Sequence, residues 1–322
     1  MSLGEFDIIN KYFARRTSRT DVLLGIGDDA AVVDVPDGHK LVVAMDTIVE
    51  GVHFPAKSAA VDIGYRALAV NLSDLAAMGA EPAWMTLSLS LPDSDEQWIA
   101  GFSSGLFALA QQHNVALIGG DTVKGPLVIT VQVAGWVEAD RWLTRSGARP
   151  GDLIFVSGVP GEAAAGLTVV QNEMSGDAAA QLRTRFLRPE PRIALGRHLR
   201  TIATAAMDIS DGLLTDLDKL CVASGCGARI DVNAIPKSGA MQQLFDEPTC
   251  LECALAGGDD YELLFTIAPT EVQSLLGAAL TTACTQIGVM TANAPVECLS
   301  GGKPIAVKRR GYDHFDRKDS CP

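Results

Sequence analysis

LLGIGDDAAVV, residues Leu23–Val33, decides which kind of α/β protein this chain can be. Its core, Gly25-Ile26-Gly27-Asp28-Asp29-Ala30, satisfies the glycine fingerprint of dinucleotide-binding folds. That fingerprint works only when a helix follows, so that a pyrophosphate can sit at the helix N-terminus. Here AAVVDV follows, which is strand-like, and the Rossmann reading fails. What remains is an apolar run stopped by a turn that carries aspartate. The pattern recurs in LVVAMDT at Leu41–Thr47, ALIGGDT at Ala116–Thr122, AAMDISDGL at Ala205–Leu213 and ALAGGDDYELLF at Ala254–Phe265. Such a run reads as a buried strand, or occasionally a helix end, delivering a carboxylate to a loop. Singly, each is ordinary turn chemistry. Five carboxylates that converge need cations between them. Ligands that are all oxygen indicate a hard cation, and Mg²⁺ takes one or two carboxylates, several waters and substrate phosphate oxygens. The chain therefore reads as a handler of phosphorylated ligands through magnesium.

Composition bounds this reading. With 322 residues the chain is long enough for two domains, and 48% hydrophobic with 20% charged residues is the balance of a soluble globular protein. A net charge of −13 argues against nucleic acid, whose binders carry a basic face, but not against ATP, because bound Mg²⁺ reverses the local sign. No stretch approaches the roughly 18 apolar residues of a membrane span. The N-terminal MSLGEFDIINKYFARR lacks a signal-peptide core, so the expected location is the cytoplasm. The seven cysteines all fall in the last third. Cys250 and Cys253 make one CxxC, with no second pair or nearby histidine to complete a zinc site.

Along the chain, Asp62–Met78 predicts a helix with Asn71, Asp74 and Met78 on one face. Such a polar stripe in a helix apolar nearly all round points to a site rather than a solvated face. A strand at Trp84–Leu91, a helix at Asp95–His113 opened by Ser94, and paired strands at Ala116–Ile118 and Leu127–Val137 are expected next. Ser146–Asp152, SGARPGD, marks the boundary, giving domains 1–147 and 148–322. Beyond it a strand at Leu153–Ser157 enters the glycine-rich turn GVPGEAAAGLTVV. That turn reads either as a phosphate cradle on a helix N-terminus or, with the Walker lysine missing, as an ordinary strand-to-helix connection. A helix at Arg192–Thr201, the DISDGL turn with its helix, the strand ARIDV and a final strand region follow. Strands and helices alternate in both halves, so the class is α+β or α/β with two domains. P-loop, protein-kinase and G-x-S-x-G motifs are absent. His53 reads as a packed histidine or, close to Asp46, as a site residue. Arg145 reads as a bidentate phosphate donor or a surface arginine at a domain joint.

The strings GIGDDAAV, DTIVEGVHF, AVNLSDLAAMGAEP, IGGDT, LTRSGARPGD, DISDGL, GGDDYELLF and the closing GYDHF occur in this order along nearly the whole chain. Together they resemble the thiamine-monophosphate kinases, of the aminoimidazole ribonucleotide synthetase-like superfamily. The resemblance implies transfer of the ATP γ-phosphate to thiamine monophosphate, giving thiamine diphosphate, with several Mg²⁺ ions. It implies that Asp29, Asp46, Asp74, Asp121, Asp208 and Asp211 hold metal. It further implies that Gly120, Asp121, Arg145 and Ser210 contact ATP, and that His53, Asp259 and Tyr312 contact the thiamine end. No side chain is expected to act as base or nucleophile. The implied fold is an N-terminal domain that binds ATP and Mg²⁺ and dimerises through its sheet, with a C-terminal α+β domain covering the active-site cleft. Composition adds only an apolar sheet face at Trp84–Leu91 as a local hint of a homodimer. One departure stands out: GGDDYEL replaces the usual GGEDYEL, so Asp259 is one methylene short. Rival readings are weaker. Selenophosphate synthetase needs a reactive residue near the start, yet the first cysteine is Cys221, and the tail RKDSCP does not match the hydrogenase-maturation relative. A magnesium-dependent phosphohydrolase differs only in sending phosphate to water. A non-enzymatic ion-binding protein lacks EF-hand spacing here.

Overall fold

The computed structural model describes residues 4–292, 295–307 and 311. Tyr312 and Cys321 lie outside the described residues. The chain folds as two compact units, one formed by residues up to Trp142 together with Ile193–Arg200, the other by Leu143–Arg192 and the chain from Thr201.

The first unit opens with the short helix α1 (Glu5–Ile8), then a small antiparallel pair, β1 (Val22–Leu24) and β2 (Val32–Val33). Its main elements are β3 (His39–Val49), α2 (Ala60–Ala77), β4 (Glu81–Leu91), α3 (Glu96–Gln112), β5 (Ala116–Lys124) and β6 (Val128–Glu138). The strands form one sheet in the order β3-β6-β4-β5. The expected pairing of the last two strands is thus corrected, because β4 lies between them, parallel to β5 and antiparallel to β6. A hairpin would need a short turn into an antiparallel neighbour, whereas α3 returns the chain as a parallel crossover. Asp95, not Ser94, caps α3, accepting from the N–H groups of Gln97 (2.9 Å) and Trp98 (3.4 Å). Helix α2 is apolar nearly all round because it packs on the sheet and on α3 at once. Its Gly64 faces the Phe102 carbonyl so closely that a Cβ there would sit 2.0 Å from that oxygen. The backbones can touch only because no side chain intervenes.

On the opposite face, Trp84, Ala116 and the half-buried Trp136, Val22 and Val33 form a small core that seats the β1–β2 hairpin. An ion pair reinforces it. Arg19 donates to Asp21 through Nε (2.9 Å) and Nη2 (2.5 Å), and through Nη1 to the Asn114 carbonyl (2.7 Å), while Trp84 Nε1 donates to Asp21 Oδ1 (3.2 Å). The guanidinium lies 5.0 Å from the Trp136 ring centroid.

The second unit contains β7 (Leu153–Ser157), α4 (Glu162–Gln171) and α5 (Asp177–Leu187). The chain then contributes α6 (Ile193–Leu199), shorter than the expected helix, to the first unit, where it packs on α2. The second unit resumes with β8 (Ala203–Asp208), α7 (Leu213–Ser224), β9 (Gly227–Asp231), α8 (Gly239–Leu244) and α9 (Glu247–Ala256). It ends with β10 (Leu263–Ile267), α10 (Val272–Leu276), β11 (Cys284–Thr291), β12 (Glu297–Ser300) and β13 (Lys303–Ile305). These strands form a sheet in the order β13-β12-β9-β11-β7-β10-β8. All five residues of β10 are buried, and Leu264 joins the core beneath α7. The ALAGG stretch is a helix end, and its strand starts only at Leu263.

Trp84, Met85, Leu87, Leu89 and Leu91 are all buried, so the apolar stretch Trp84–Leu91 is core rather than a free face. The exposed apolar row lies instead on the edge strand β3: Leu41 (52% exposed), Val43 (51%) and Met45 (62%). Among the described residues no helix is long and apolar enough to cross a membrane.

The Arg19–Asp21 pair sets a pH-dependent stability. Despite the opposing effect of burial, bonds from Arg19 and Trp84 hold the Asp21 carboxyl below its ordinary range. A folded value below the unfolded one gives stability that is full above about pH 4 and is lost as pH falls through the folded value. Asp21→Asn is expected to cost about 2–3 kcal/mol at pH 7. The gap from wild type should narrow in urea melts below about pH 4; an equal gap at both ends of the range would count against the pair.

Candidate active site

In the first unit the loop between β1 and β2 carries Asp28 and Asp29, both exposed, with the Asp29 N–H donating to Asp28 Oδ1 (2.8 Å). Asp46 lies inside β3 rather than at a strand end. Its N–H donates to Asn71 Oδ1 (2.8 Å), and Asn71 Nδ2 donates to the Ala67 carbonyl (2.9 Å). The fully buried Asn71 therefore fastens the Asp46 strand to α2 at the turn preceding the half-buried Asp74. One residue of the polar stripe is thus a fastener between α2 and β3. At the other edge of the sheet, Gly120 has φ +150° and a Cβ would lie 1.9 Å from the Leu87 carbonyl, so only glycine fits where the strands pass. Asp46, Val131, Leu87 and Gly120 form one row across the sheet. Three strand spacings, about 14 Å, separate its ends. The exposed Asp121 follows Gly120 on this edge strand. His53, half-buried, accepts from the Val49 N–H through Nδ1 (3.1 Å), which leaves Nε2 to carry the proton of the neutral ring.

In the second unit two motifs expected separately are paired. Leu263 stands opposite Asp208 at the end of the β8–β10 ladder. The ladder continues past it: Ile209 N–H to the Glu262 carbonyl, Tyr261 N–H to the Ile209 carbonyl and Asp259 N–H to the Ser210 carbonyl, each 2.8 Å. The structure thus brings Asp208, Ser210, Asp211 and Asp259 onto adjoining turns. Asp259 (φ +69°) and Tyr261 (φ +52°) are both left-handed, a strained backbone for residues with side chains. The Tyr261 hydroxyl donates to Asp259 Oδ1 (3.2 Å).

The strain is held from both sides. Asp260 turns inward and accepts from the N–H groups of Gly161 (2.7 Å) and Ala163 (3.2 Å) at the start of α4. The glycine-rich turn is therefore no phosphate cradle: this carboxylate already occupies the helix N-terminus. Burial pushes the Asp260 carboxyl well up, and the two N–H groups act against that. Glu262, also buried, takes Arg192 Nε (2.7 Å) and the Ser157 hydroxyl. On the DISDGL side, Asp216, wholly buried, accepts from the Ser210 and Asp211 N–H groups, both 3.0 Å. Burial pushes its carboxyl up, while Lys219, which bridges Asp216 and Asp211, pulls it down. Arg145 is exposed; its carbonyl accepts from Ser224 Oγ (3.2 Å).

Asp216, Asp260, Glu262 and Arg192 escaped the sequence reading. The only available signal was excess acid: two consecutive aspartates and a glutamate beside the mostly apolar run LLFTI cannot all face a ligand. Among the described residues no group of three or more His, Cys, Asp or Glu side chains is arranged to hold a metal ion. The donors nonetheless fit Mg²⁺ chemically, being carboxylates of which Asp29, Asp46 and Asp121 are exposed, so an ion held there would keep waters. The six described cysteines are free thiols, and burial raises Cys221 to about 12 and Cys253 and Cys284 to about 11. None of these three is a thiolate nucleophile near neutral pH.

Residues 27–137 match the AIR synthase related protein, N-terminal domain, and residues 149–298 its C-terminal domain. The chain is similar to the thiamine-monophosphate kinase of Salmonella typhimurium, at 49% identity over 98% of this chain and 99% of that protein. Among solved structures it resembles the thiamine-monophosphate kinase of Stenotrophomonas maltophilia K279a, with 46% identity, a TM-score of 0.86 and coverage of 92% of this chain and 97% of that one. It also resembles AaThiL complexed with AMPPCP and TMP, with 32% identity, a TM-score of 0.78 and coverage of 96% of each chain.

Replacing Asp260 tests how this site is held. Asp260→Ala leaves two N–H groups at the start of α4 unpaired and removes an anchor of the left-handed turn. It should cost about 2–3 kcal/mol in chemical denaturation. A cost under about 0.5 kcal/mol would mean that Asp260 does not hold the turn.

Proposed function

The chain belongs to the thiamine-monophosphate kinase family, and from that we infer that it transfers the γ-phosphoryl group of ATP to thiamine monophosphate, giving thiamine diphosphate and ADP. The observation that carries this reading is end-to-end similarity, at 49% identity, to relatives of that name. The complex of AaThiL with AMPPCP and TMP, alike over 96% of this chain, supports the substrate pair.

Each candidate residue takes a role suited to its position. Asp29, Asp46, Asp74, Asp121, Asp208 and Asp211 are assigned to several Mg²⁺ ions, whose charge, when bound, offsets the repulsion between two phosphates. Gly120 leaves the backbone bare for the nucleotide, and Arg145 and Ser210 offer donors to its phosphates. His53 presents Nε2–H, and Asp259 a carboxylate, to the thiamine end; Tyr312 is assigned there from its motif alone. A phosphate oxygen of thiamine monophosphate attacks Pγ in line as the bond to the ADP oxygen breaks. That oxygen is already ionised near neutral pH, so no base is needed and no phosphorylated enzyme forms. Residues 1–147 are assigned to ATP, Mg²⁺ and dimerisation, and residues 148–322 to the rest of the site. The exposed row Leu41, Val43 and Met45 is the surface offered for a homodimer. Free thiols suit a reducing, cytoplasmic setting.

A coupled assay decides the function. ADP should form only with ATP, Mg²⁺ and thiamine monophosphate together. Free thiamine should give no turnover, and EDTA should abolish it. Release of inorganic phosphate in place of thiamine diphosphate would instead identify a phosphohydrolase.

Asp259 gives a sharper test. A cationic thiazolium favours a nearby carboxylate, so Asp259→Ala should raise KM for thiamine monophosphate about tenfold while changing kcat and the ATP KM less. Asp259→Glu, which restores the usual length, should keep near-normal KM. An unchanged thiamine monophosphate KM in Asp259→Ala, with Mg²⁺ binding lost, would make the residue a metal ligand instead.

A further inference from the structure

The loop that carries Asp28 and Asp29 joins β1 and β2, two strands that share only the pairs Val22–Val33 and Leu24–Val32. A hairpin this short does not hold its own geometry in water. Its exposed loop contains Gly27 at φ +123°, which adds freedom. Something outside the hairpin must fix where Asp29 stands.

We infer that Arg19 and Asp21 are positioning residues for the reaction, a half-buried ion-pair knot that sets the Asp29 loop on the sheet. Asp21 immediately precedes β1. Its carbonyl accepts from the Asp34 N–H (2.9 Å), closing the hairpin at its open end, and its carboxylate takes Arg19 Nε and Trp84 Nε1. Trp84 belongs to β4 and is 1% exposed, so this bond ties the base of the hairpin to the sheet core. Arg19 ties it to two further elements: the Asn114 carbonyl (2.7 Å), in the turn between α3 and β5, and the Trp136 ring of β6. The paired side chains are 7% and 19% exposed, so water screens the bonds weakly. The knot thus spans the hairpin, β4, β6 and the α3–β5 turn, and β5 carries Gly120 and Asp121. A hydrophobic seat alone would leave the hairpin free to slide and tilt, whereas four directed donor bonds fix its orientation. Replacing the partners behind a metal ligand that fix its place typically costs about 10–100-fold in metal affinity.

The inference rests on the assignment of Asp29 to Mg²⁺, and the experiment separates the two. Mg²⁺ binding is measured by calorimetry on the full-length protein in the presence of ADP, for wild type, Asp29→Asn, Asp21→Asn and the double variant. Thiamine monophosphate binding is measured alongside. Asp21→Asn should weaken Mg²⁺ about tenfold. It should leave thiamine monophosphate affinity within about twofold, and it should add little in the Asp29→Asn background. The loss of stability expected of Asp21→Asn does not discriminate, but purely structural damage would shift both affinities together, or neither. If Asp29→Asn weakens Mg²⁺ while Asp21→Asn leaves it unchanged, the positioning role is refuted. If Asp29→Asn itself has no effect, the Asp29 assignment falls and this inference falls with it. Should Asp21→Asn fail to fold, Trp84→Phe, which removes only the Nε1–H donor, is expected to weaken Mg²⁺ about threefold. No change in that variant would refute the role equally.

Discussion

A carboxylate withdrawn from water must find donors, and the second unit is organised around that requirement at Asp260 and Glu262. One finds two backbone N–H groups at the start of α4, the other a guanidinium and a hydroxyl. Fixed inward on both sides, they leave Tyr261 no relaxed backbone between them, and Asp259 enters the turn equally constrained. The two left-handed residues are the result. Because this same segment pairs with Ile209 and Ser210, the strain also sets the DISDGL turn, which Asp216 holds from beneath. The residues proposed to meet a ligand are thus held in place by buried acidic neighbours.

That division explains what could be read from the chain and what could not. The alternation of apolar runs, the α2 stripe and the strand at Leu153–Ser157 follow from local periodicity, which a sequence displays directly. The refusal of the dinucleotide fingerprint at Gly25–Ala30 was correct for the same reason, since β-branched residues after it lead into β2 rather than a helix. Strand order was not legible: nothing near Ala116 or Leu127 announces that β4 will come between them. Nor was the sorting of acidic residues. Asp259, Asp260 and Glu262 are chemically alike in sequence, and only burial divides them into one ligand candidate and two anchors. Long strands hid another point, because Asp46 and Asp121 interrupt apolar runs without ending the strands that contain them.

The first unit solves its positioning problem differently. Its sheet is stiffened by close helix packing, through Gly64 against the Phe102 carbonyl, and its polar side chains act as fasteners at single points. Asn71 bonds a backbone N–H of β3 from within α2, and a neutral amide suffices because a single donor has to be matched. The hairpin at Asp21, touching several elements at once, instead uses a charged pair.

The chain enters the first unit twice, since α6 returns to it after about 50 residues spent in the second. During synthesis at about 5–20 residues per second, the ribosome must therefore add roughly 3–10 s of chain before the first unit can be completed. Through that interval the side of α2 that α6 will cover stays bare, a surface for a chaperone or for misassembly. Fragments that stop at Trp142 inherit the same exposed side permanently. The apparent boundary between the two halves is consequently a poor place to cut: a piece that keeps the whole first sheet still lacks the last helix of its own core.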